Sequence, residues 1–91
     1  GKTSSDSAGS DGLYSGYKGN TITHMPTGIK ATIENYDSGV VYLRLQNASK
    51  DLSYVKKGKS YYANSLSTGQ KLRFYYDYIN ENGVFIRLVT E

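Results

Sequence analysis

The sequence predicts an all-β protein, and three observations support this prediction. Apolar and polar residues alternate along several short runs, as they do in strands that bury one face. Gly, Asn, Asp and Ser separate these runs and are typical turn residues, whereas no segment has a convincing helical period. Ten of the 91 residues are tyrosine, which is common in strands. A chain of this length is expected to form one domain.

The first twenty residues differ in composition from the rest of the chain. Residues 1–12 read GKTSSDSAGSDG and offer almost no apolar side chain to bury, so they resemble a flexible tether. We therefore divide the chain into a Ser/Gly/Asp-rich tether, residues 1–20, and a folded domain, residues 21–91. Leu13, Tyr14 and Tyr17 are apolar enough to dock on the domain, which leaves the boundary open between residues 12 and 20.

In the first part of the domain, the sequence predicts a short strand followed by a hairpin. The short strand covers residues 21–25 and ends before Pro26. Residues 28–36 and 40–46 then alternate between apolar and polar side chains, and Asp-Ser-Gly at residues 37–39 is a turn sequence. In this interpretation the side chains of the second run that face the core are Val41, Leu43 and Leu45.

The middle of the domain is less regular. Residues 52–55 predict a third strand, and a turn with three lysines follows at residues 56–59. Such a charged turn protects a sheet edge from pairing with other chains. Residues 60–66 fit either a short strand or a helical turn.

The closing hairpin has the clearest pattern. Residues 71–79 and 84–90 are aromatic and branched runs, and Asn82-Gly83 between them is a strong hairpin signal. We expect both turn residues at positive φ. Alternation places two sets of side chains on opposite faces of the first run, with Leu72, Phe74, Tyr76 and Tyr78 on one face and Arg73, Tyr75 and Asp77 on the other.

Five short strands with exposed edges favour a small closed barrel. The longer connection between the second and fourth runs favours an OB-like over an SH3-like arrangement. The opening hairpin GIKATIENYDSGVVYLRL, the strand DLSYV at residues 51–55 and the Gly69-Gln70 step before the closing hairpin support a family resemblance. Over residues 28–91 these features resemble the OB-fold RNA-binding domain repeated in the largest protein of the small ribosomal subunit.

The resemblance implies a five-stranded OB-like barrel that contacts RNA through two aromatic residues and a histidine. Tyr36 matches the first aromatic position. Gly39 occupies the second, so that stacking group is lost, and Tyr54 occupies the histidine position.

The sequence argues against an enzyme. The single histidine, His24, lies next to Pro26, where we expect an exposed polar side chain, and there is no cysteine. The acidic residues are scattered, mostly at turns, where Asp accepts hydrogen bonds from the backbone. One histidine without cysteine or an acidic calcium loop predicts no metal site, and no glycine-rich phosphate loop is present, so no cofactor is expected.

Aromatic and basic side chains on the outward positions of the strands predict a binding surface. Flat rings beside guanidinium groups can stack bases, sugars or peptide side chains. The alternative is a solvated sheet face with cross-strand Tyr–Arg and Arg–Asp pairs. Arg87 is a further outward cation. The predicted ligand-binding residues are Tyr42, Arg44, Arg73 and Tyr75 from these outward positions, together with Tyr36 and Tyr54, which the resemblance implies.

We expect a small, non-enzymatic binding or interaction module in a secreted or membrane-tethered bacterial lipoprotein of the cell envelope. The tether, the first residue Gly and the Tyr/Ser/Thr/Asn-rich strands look like a mature lipoprotein, in which a signal peptide and a lipid-anchored cysteine preceded this chain. The partner would be a protein, a glycan or an oligonucleotide.

Two alternatives remain open. One is an intracellular single-stranded nucleic-acid-binding OB-fold protein in the cytoplasm, and the other is a structural subunit of an envelope assembly. The net charge of +3 is small for a dedicated nucleic-acid binder. No run approaches the roughly 20 apolar residues of a membrane-spanning helix.

Overall fold

The computed structural model describes residues 12–91, and it confirms an all-β protein. Eight strands form two four-stranded antiparallel sheets, and no helix is present in this range. The strands are β1 (Gly12–Gly16), β2 (Thr21–His24), β3 (Ile29–Asp37), β4 (Val40–Gln46), β5 (Leu52–Lys56), β6 (Ser60–Asn64), β7 (Lys71–Asn80) and β8 (Gly83–Thr90).

The two sheets are open, so the predicted five-stranded OB-like barrel is wrong in strand number and in closure. The first sheet has the strand order β1-β8-β7-β6, and the second has the order β2-β3-β4-β5. The chain passes from one sheet to the other twice, between β1 and β2 and between β5 and β6. The hairpins β3–β4 and β7–β8 belong to different sheets, so their strands do not pair with each other.

One hydrophobic core joins the inner faces of both sheets. The alternation of each strand explains it, because inward residues at every second position meet those of the opposite sheet. The fully buried side chains of largest volume include Phe74, Ile29, Ile33, Leu43, Leu72 and Ile86. Tyr36, Tyr61, Tyr76 and Ile79 pack against this core at its margin.

Of the predicted tether, residues 1–20, the structure describes residues 12–20. Residues 1–11 lie outside the described residues. Gly12–Gly16 form β1, which pairs antiparallel with β8 from Gly12 opposite Leu88 to Gly16 opposite Val84. Tyr14 is buried in the core. Residues 12–16, which the composition grouped with the tether, are therefore part of the first sheet.

The closing hairpin is present, with one difference in its turn. Asn80 pairs with Gly83, so Glu81 and Asn82 form the two-residue loop. Gly83 has a φ of 110°, as expected, but Asn82 does not have positive φ, because Asn47 is the one non-glycine residue with positive φ between residues 12 and 91.

A bulge in β7 changes the face on which its later side chains lie. The register shifts between Tyr76 and Tyr78, so that Asp77 is an extra residue opposite β8. Tyr76 packs against the core, but Tyr78 is exposed and stacks on Phe85 on the outer face. The prediction that Tyr78 shares a face with Phe74 is therefore wrong.

A buried polar corner fastens the end of β2 to the segment after β6. His24 is the last residue of β2 and is fully buried, so the expectation of an exposed loop histidine is wrong. Its Nδ1 lies 2.9 Å from Thr27 Oγ1, and Ser65 Oγ donates to the Thr27 carbonyl. Ser65 also forms an isolated bridge with Ala48 from the loop before β5. Residues 60–64 are thus a strand that ends at this corner.

Candidate functional site

The structure divides the six predicted ligand-binding residues among three places. Tyr42, Arg44 and Tyr54 lie on the outer face of the second sheet, on β4 and β5. Arg73 and Tyr75 lie on the outer face of the first sheet, on β7, on the opposite side of the core. Tyr36 is half-buried against the core. The six residues therefore do not form one site.

The inward position of Tyr36 has a local cause. The register between β3 and β4 shifts between Ile33 and Asn35, where Glu34 is the extra residue. An extra residue reverses the alternation that follows it, so Tyr36 lies on the same side as Ile33. The Tyr36 side chain consequently packs against the edge of the core and does not lie on an outer face.

The outer face of the second sheet is occupied by contacts among its own side chains. The Tyr42 and Tyr54 rings meet edge to face, with centroids 5.3 Å apart. Arg44 Nε donates to Glu34 Oε2 at 3.2 Å. Thr21 and Thr32 share a hydrogen bond of 2.9 Å. This pattern matches the solvated face that the sequence left open as an alternative.

The outer face of the first sheet is richer in aromatic side chains, and it carries basic side chains beside them. We call it the β7 face. Its members point away from the core because they alternate with the buried residues Ala63, Leu72, Phe74 and Ile86. The β7 face comprises Leu13, Tyr62, Lys71, Arg73, Tyr75, Tyr78, Phe85 and Arg87.

Three cations surround the ring of Tyr62 at the β6 edge of this face. Lys71 Nζ lies 4.5 Å from the ring centroid, Lys50 Nζ lies 4.9 Å from it, and Arg73 Cζ lies 5.6 Å from it. Lys50 belongs to the loop before β5 and also lies 5.0 Å from the centroid of the Tyr61 ring. These distances fall within the range of cation–π attraction, so the Tyr62 ring attracts all three cations.

Arg73 is the one of these three cations that has an acidic partner in the described range. Its guanidinium donates to both carboxylate oxygens of Glu91, with Nη2 at 3.1 Å from Oε1, and its Nη1 donates to Ser60 Oγ at 3.0 Å. The hydrogen bond with Arg73 lowers the pKa of Glu91, and the same bond raises the pKa of Arg73.

Tyr75 and Arg87 occupy the middle of the β7 face. They lie opposite each other across β7 and β8, and both are exposed. Between residues 12 and 91, Tyr75 has no ring contact and Arg87 has no ion pair. Their aromatic and charged surfaces are therefore available to a ligand.

Tyr78 and Phe85 form a separate aromatic pair beside them. Their rings stack with centroids 4.4 Å apart and an angle of 13° between the planes. Each ring therefore covers one face of the other. The pair adds apolar surface to the β7 face but offers fewer free ring faces than two separate aromatic residues would.

The ring and the two lysines at the β6 edge of this face, namely Tyr62, Lys71 and Lys50, were not among the predicted site residues. Tyr62 and Lys71 become neighbours only through the pairing of β6 with β7, and residues 60–66 fitted two structures. Lys50 lies in a loop, for which alternation predicts no direction. β6 lies at the edge of the first sheet because the chain crosses from the second sheet just before it. Alternation within residues 60–64 does not indicate this crossing.

Neither a metal-binding cluster nor a membrane-spanning helix is found among the described residues. In residues 12–91, no group of three or more His, Cys, Asp or Glu is placed to hold a metal ion. Over the same residues, no helix has the length and hydropathy needed to cross a membrane. What the β7 face offers is an arrangement of rings, cations and hydroxyl groups suited to noncovalent binding.

Compared with protein-family models, curated proteins and solved structures, the chain matches none of them. The resemblance to the ribosomal OB-fold repeat therefore stays an expectation from the sequence, and its five-stranded barrel does not agree with the two open sheets.

The Arg73–Glu91 pair predicts a small, acid-sensitive contribution to stability. Because the pKa of Glu91 is lowered in the folded state, the contribution is present above the unfolded pKa and is lost as pH falls through the folded pKa. Both groups are accessible to solvent, so salt also weakens it. We expect Glu91→Gln to lower the thermal midpoint slightly at pH 7 and low salt, and to leave it unchanged in acid.

The matched control for this pair is Glu81→Gln, which removes a carboxylate in the β7–β8 turn that has no ion pair with any described residue. Thermal unfolding of both variants, followed by circular dichroism from neutral to acidic pH, distinguishes the pair from a general charge effect. Equal midpoints for the two variants at neutral pH and low salt would contradict the assigned contribution.

Proposed function

We propose that this protein is a non-enzymatic binding module whose ligand surface is the β7 face. The observation that supports this proposal most strongly is the contrast between the two outer faces. On the second sheet, Tyr42, Tyr54 and Arg44 are engaged with neighbours, whereas Tyr75 and Arg87 on the β7 face are exposed and have no ring or ion-pair partner within residues 12–91. Exposed aromatic and arginine side chains of this kind are common anchors at binding surfaces.

The excess of positive charge on this face favours an anionic ligand. Lys50, Lys71 and Arg87 have no acidic partner in the described part of the chain, and Glu91 is engaged by Arg73. Like charges held together on one surface raise the local positive potential, which attracts anions and speeds their association. A location in the cell envelope, as a secreted or lipid-anchored protein, is part of the same proposal and rests on the composition alone.

Single-stranded nucleic acid is the less favoured ligand class. Such binding relies on several ring faces on which successive bases stack. On the β7 face, cations surround Tyr62, and Tyr78 and Phe85 cover each other. Among the described residues, this leaves Tyr75 as the ring of the face without an aromatic or cationic contact. In the resembled RNA-binding family a second aromatic residue stacks on a base, and Gly39 occupies that position here. This difference also makes nucleic acid the less favoured ligand.

Paired substitutions on the two faces test this proposal. We expect Tyr75→Ala to weaken binding of an acidic polysaccharide about fivefold or more, since truncation of a central interface aromatic costs more than about 1 kcal/mol. Tyr54→Ala, the matched control on the second sheet, should change the affinity little. Isothermal titration calorimetry of both variants, with their folds checked by circular dichroism, gives the comparison.

Two results would contradict the proposal. One is a loss of affinity in Tyr54→Ala together with wild-type affinity in Tyr75→Ala, which would move the ligand to the second sheet. The other is the absence of binding to a panel that contains acidic and neutral polysaccharides and single-stranded oligonucleotides at low salt.

A further inference from the structure

We infer that Lys50 and Lys71, held beside Tyr62, form an anionic-group subsite that takes the carboxylate of an acidic polysaccharide lying along the β7 face. This inference rests on the proposed function, because it assigns a ligand class to the same surface. It adds two cations and one ring that the sequence did not identify, and it gives them a specific role.

The charge balance around Tyr62 is the first argument. Three cations lie within 5.6 Å of its ring centroid. In the described part of the chain, the one acidic side chain bound to any of them is Glu91, which Arg73 engages through two hydrogen bonds. Lys50 and Lys71 have no ion pair within residues 12–91. Two ammonium groups beside one ring, with no anionic partner among the described residues, attract an external carboxylate.

The fixed position of these groups is the second argument. Lysine side chains on a free surface lose considerable rotamer entropy when they bind a ligand. Here the Tyr62 ring attracts both ammonium groups, at 4.5 and 4.9 Å from its centroid, before any ligand arrives. Pre-organisation of this kind reduces the loss of freedom on binding and so increases the affinity for an anion.

The surroundings of the subsite favour a sugar chain. Tyr62 lies opposite Arg73, so Tyr75 is its diagonal neighbour, at roughly 7–8 Å between backbone positions. The one unengaged ring, Tyr75, can pack against the apolar face of a single sugar ring. Ser60 and Asn64, outward on β6, supply hydroxyl and amide groups for sugar hydroxyls. An acidic polysaccharide combines all three features, namely carboxylates, apolar ring faces and hydroxyl groups.

The test compares acidic oligosaccharides with their own neutral esters. The full chain is titrated with oligosaccharides of galacturonate and of mannuronate, and with the methyl ester of each, at low and at moderate salt. The double variant Lys50→Gln/Lys71→Gln is compared with Lys56→Gln/Lys57→Gln, which removes the same charge at the end of β5 and in the turn that follows. Every variant is checked for folding by circular dichroism.

We expect the wild type to bind an acidic form more tightly than its ester and to lose affinity as salt rises. The Lys50/Lys71 double variant should lose roughly tenfold or more of this affinity, because charge-assisted hydrogen bonds are strong, and it should bind the ester as the wild type does. The Lys56/Lys57 variant should bind both forms nearly as the wild type does.

Three outcomes would overturn the inference. Equal affinity for acid and ester, still sensitive to Tyr75→Ala, would leave the β7 face a binding surface and remove the anionic subsite. Equal losses in the two lysine variants would show a general charge effect. Tighter binding of a single-stranded oligonucleotide, lost in the Lys50/Lys71 variant, would assign the subsite to phosphate. If none of these ligands binds the wild type, the proposed function itself fails.

Discussion

Replacing Phe74 by alanine is expected to lower the free energy of unfolding by about 3–5 kcal/mol, which is a large part of the stability of a small domain. Phe74 is fully buried and heads the fully buried side chains by volume. It lies between Tyr61 on β6 and Leu88 on β8 and points into the core shared by both sheets. The alanine variant therefore leaves a cavity at the centre of the first sheet.

The chain contains its own control for this prediction, because its only other phenylalanine is Phe85. Phe85 lies on the outer face, where it stacks on Tyr78, so Phe85→Ala should be clearly less destabilising. Urea unfolding followed by circular dichroism measures both. If Phe74→Ala does not fold, Phe74→Leu should still fold with a loss of about 1 kcal/mol. A loss in Phe85→Ala as large as that in Phe74→Ala would contradict the assigned facing of β7 and β8.

Replacing Gly83 by alanine should also destabilise the protein strongly, because two separate restrictions meet at this glycine. Its φ of 110° is a conformation that residues with a side chain rarely adopt. A Cβ added there would in addition lie 2.4 Å from the backbone carbonyl oxygen of Gly16, at the end of β1. Relief of that clash requires a movement of β1 or of the β7–β8 turn.

Gly58 provides the matched control, since it has a φ of 78° but no atom within 4 Å of an added Cβ. Gly58→Ala should cost about 1 kcal/mol through backbone strain alone. Gly83→Ala should cost more, by the work of displacing β1, and Gly83→Val more again. The difference between the two alanine variants in urea unfolding thus measures the contact between β1 and the closing hairpin. Equal losses would contradict the placement of β1 beside Gly83.

Alternation was sufficient to predict the class and both hairpins, because inward and outward side chains differ in polarity at every second position. β1 could not be predicted in the same way. Its five residues, GLYSG, contain two glycines and follow a Ser/Gly-rich stretch, so little in their composition separates them from a tether. What orders them is pairing with β8, a tertiary contact that local composition does not encode.

The two bulges explain the errors in facing. A bulge adds one residue to one strand, and the sequences around Glu34 and Asp77 carry no glycine or other mark of it. Alternation therefore grouped Tyr78 with Phe74, and the resemblance gave Tyr36 a stacking role, whereas Tyr78 lies on the outer face and Tyr36 packs against the core. Up to Ile33 in β3 and Tyr76 in β7, before either bulge, the predicted facing is confirmed.

The candidate site shows a further limit of sequence patterns. Arg73 and Tyr75 were correctly placed on an outer face, as were Tyr42 and Arg44. Alternation distinguishes inward from outward, but it does not indicate to which sheet a strand belongs. The predicted site therefore merged residues from two faces that the core separates. Lys50 joined the site only through the path of the loop before β5.

The central claim is that the ligand contacts only the β7 face. The most direct test is an NMR titration, in which the backbone amide signals of the isotopically labelled chain are followed as galacturonate oligosaccharides are added. The account predicts that the amide signals that shift cluster on β6, β7 and β8, around Tyr62, Arg73, Tyr75 and Arg87, with Lys50 among them, while those around Tyr42 and Tyr54 stay in place. Shifts centred on Tyr42, Arg44 and Tyr54, with the β7 face unchanged, would contradict it.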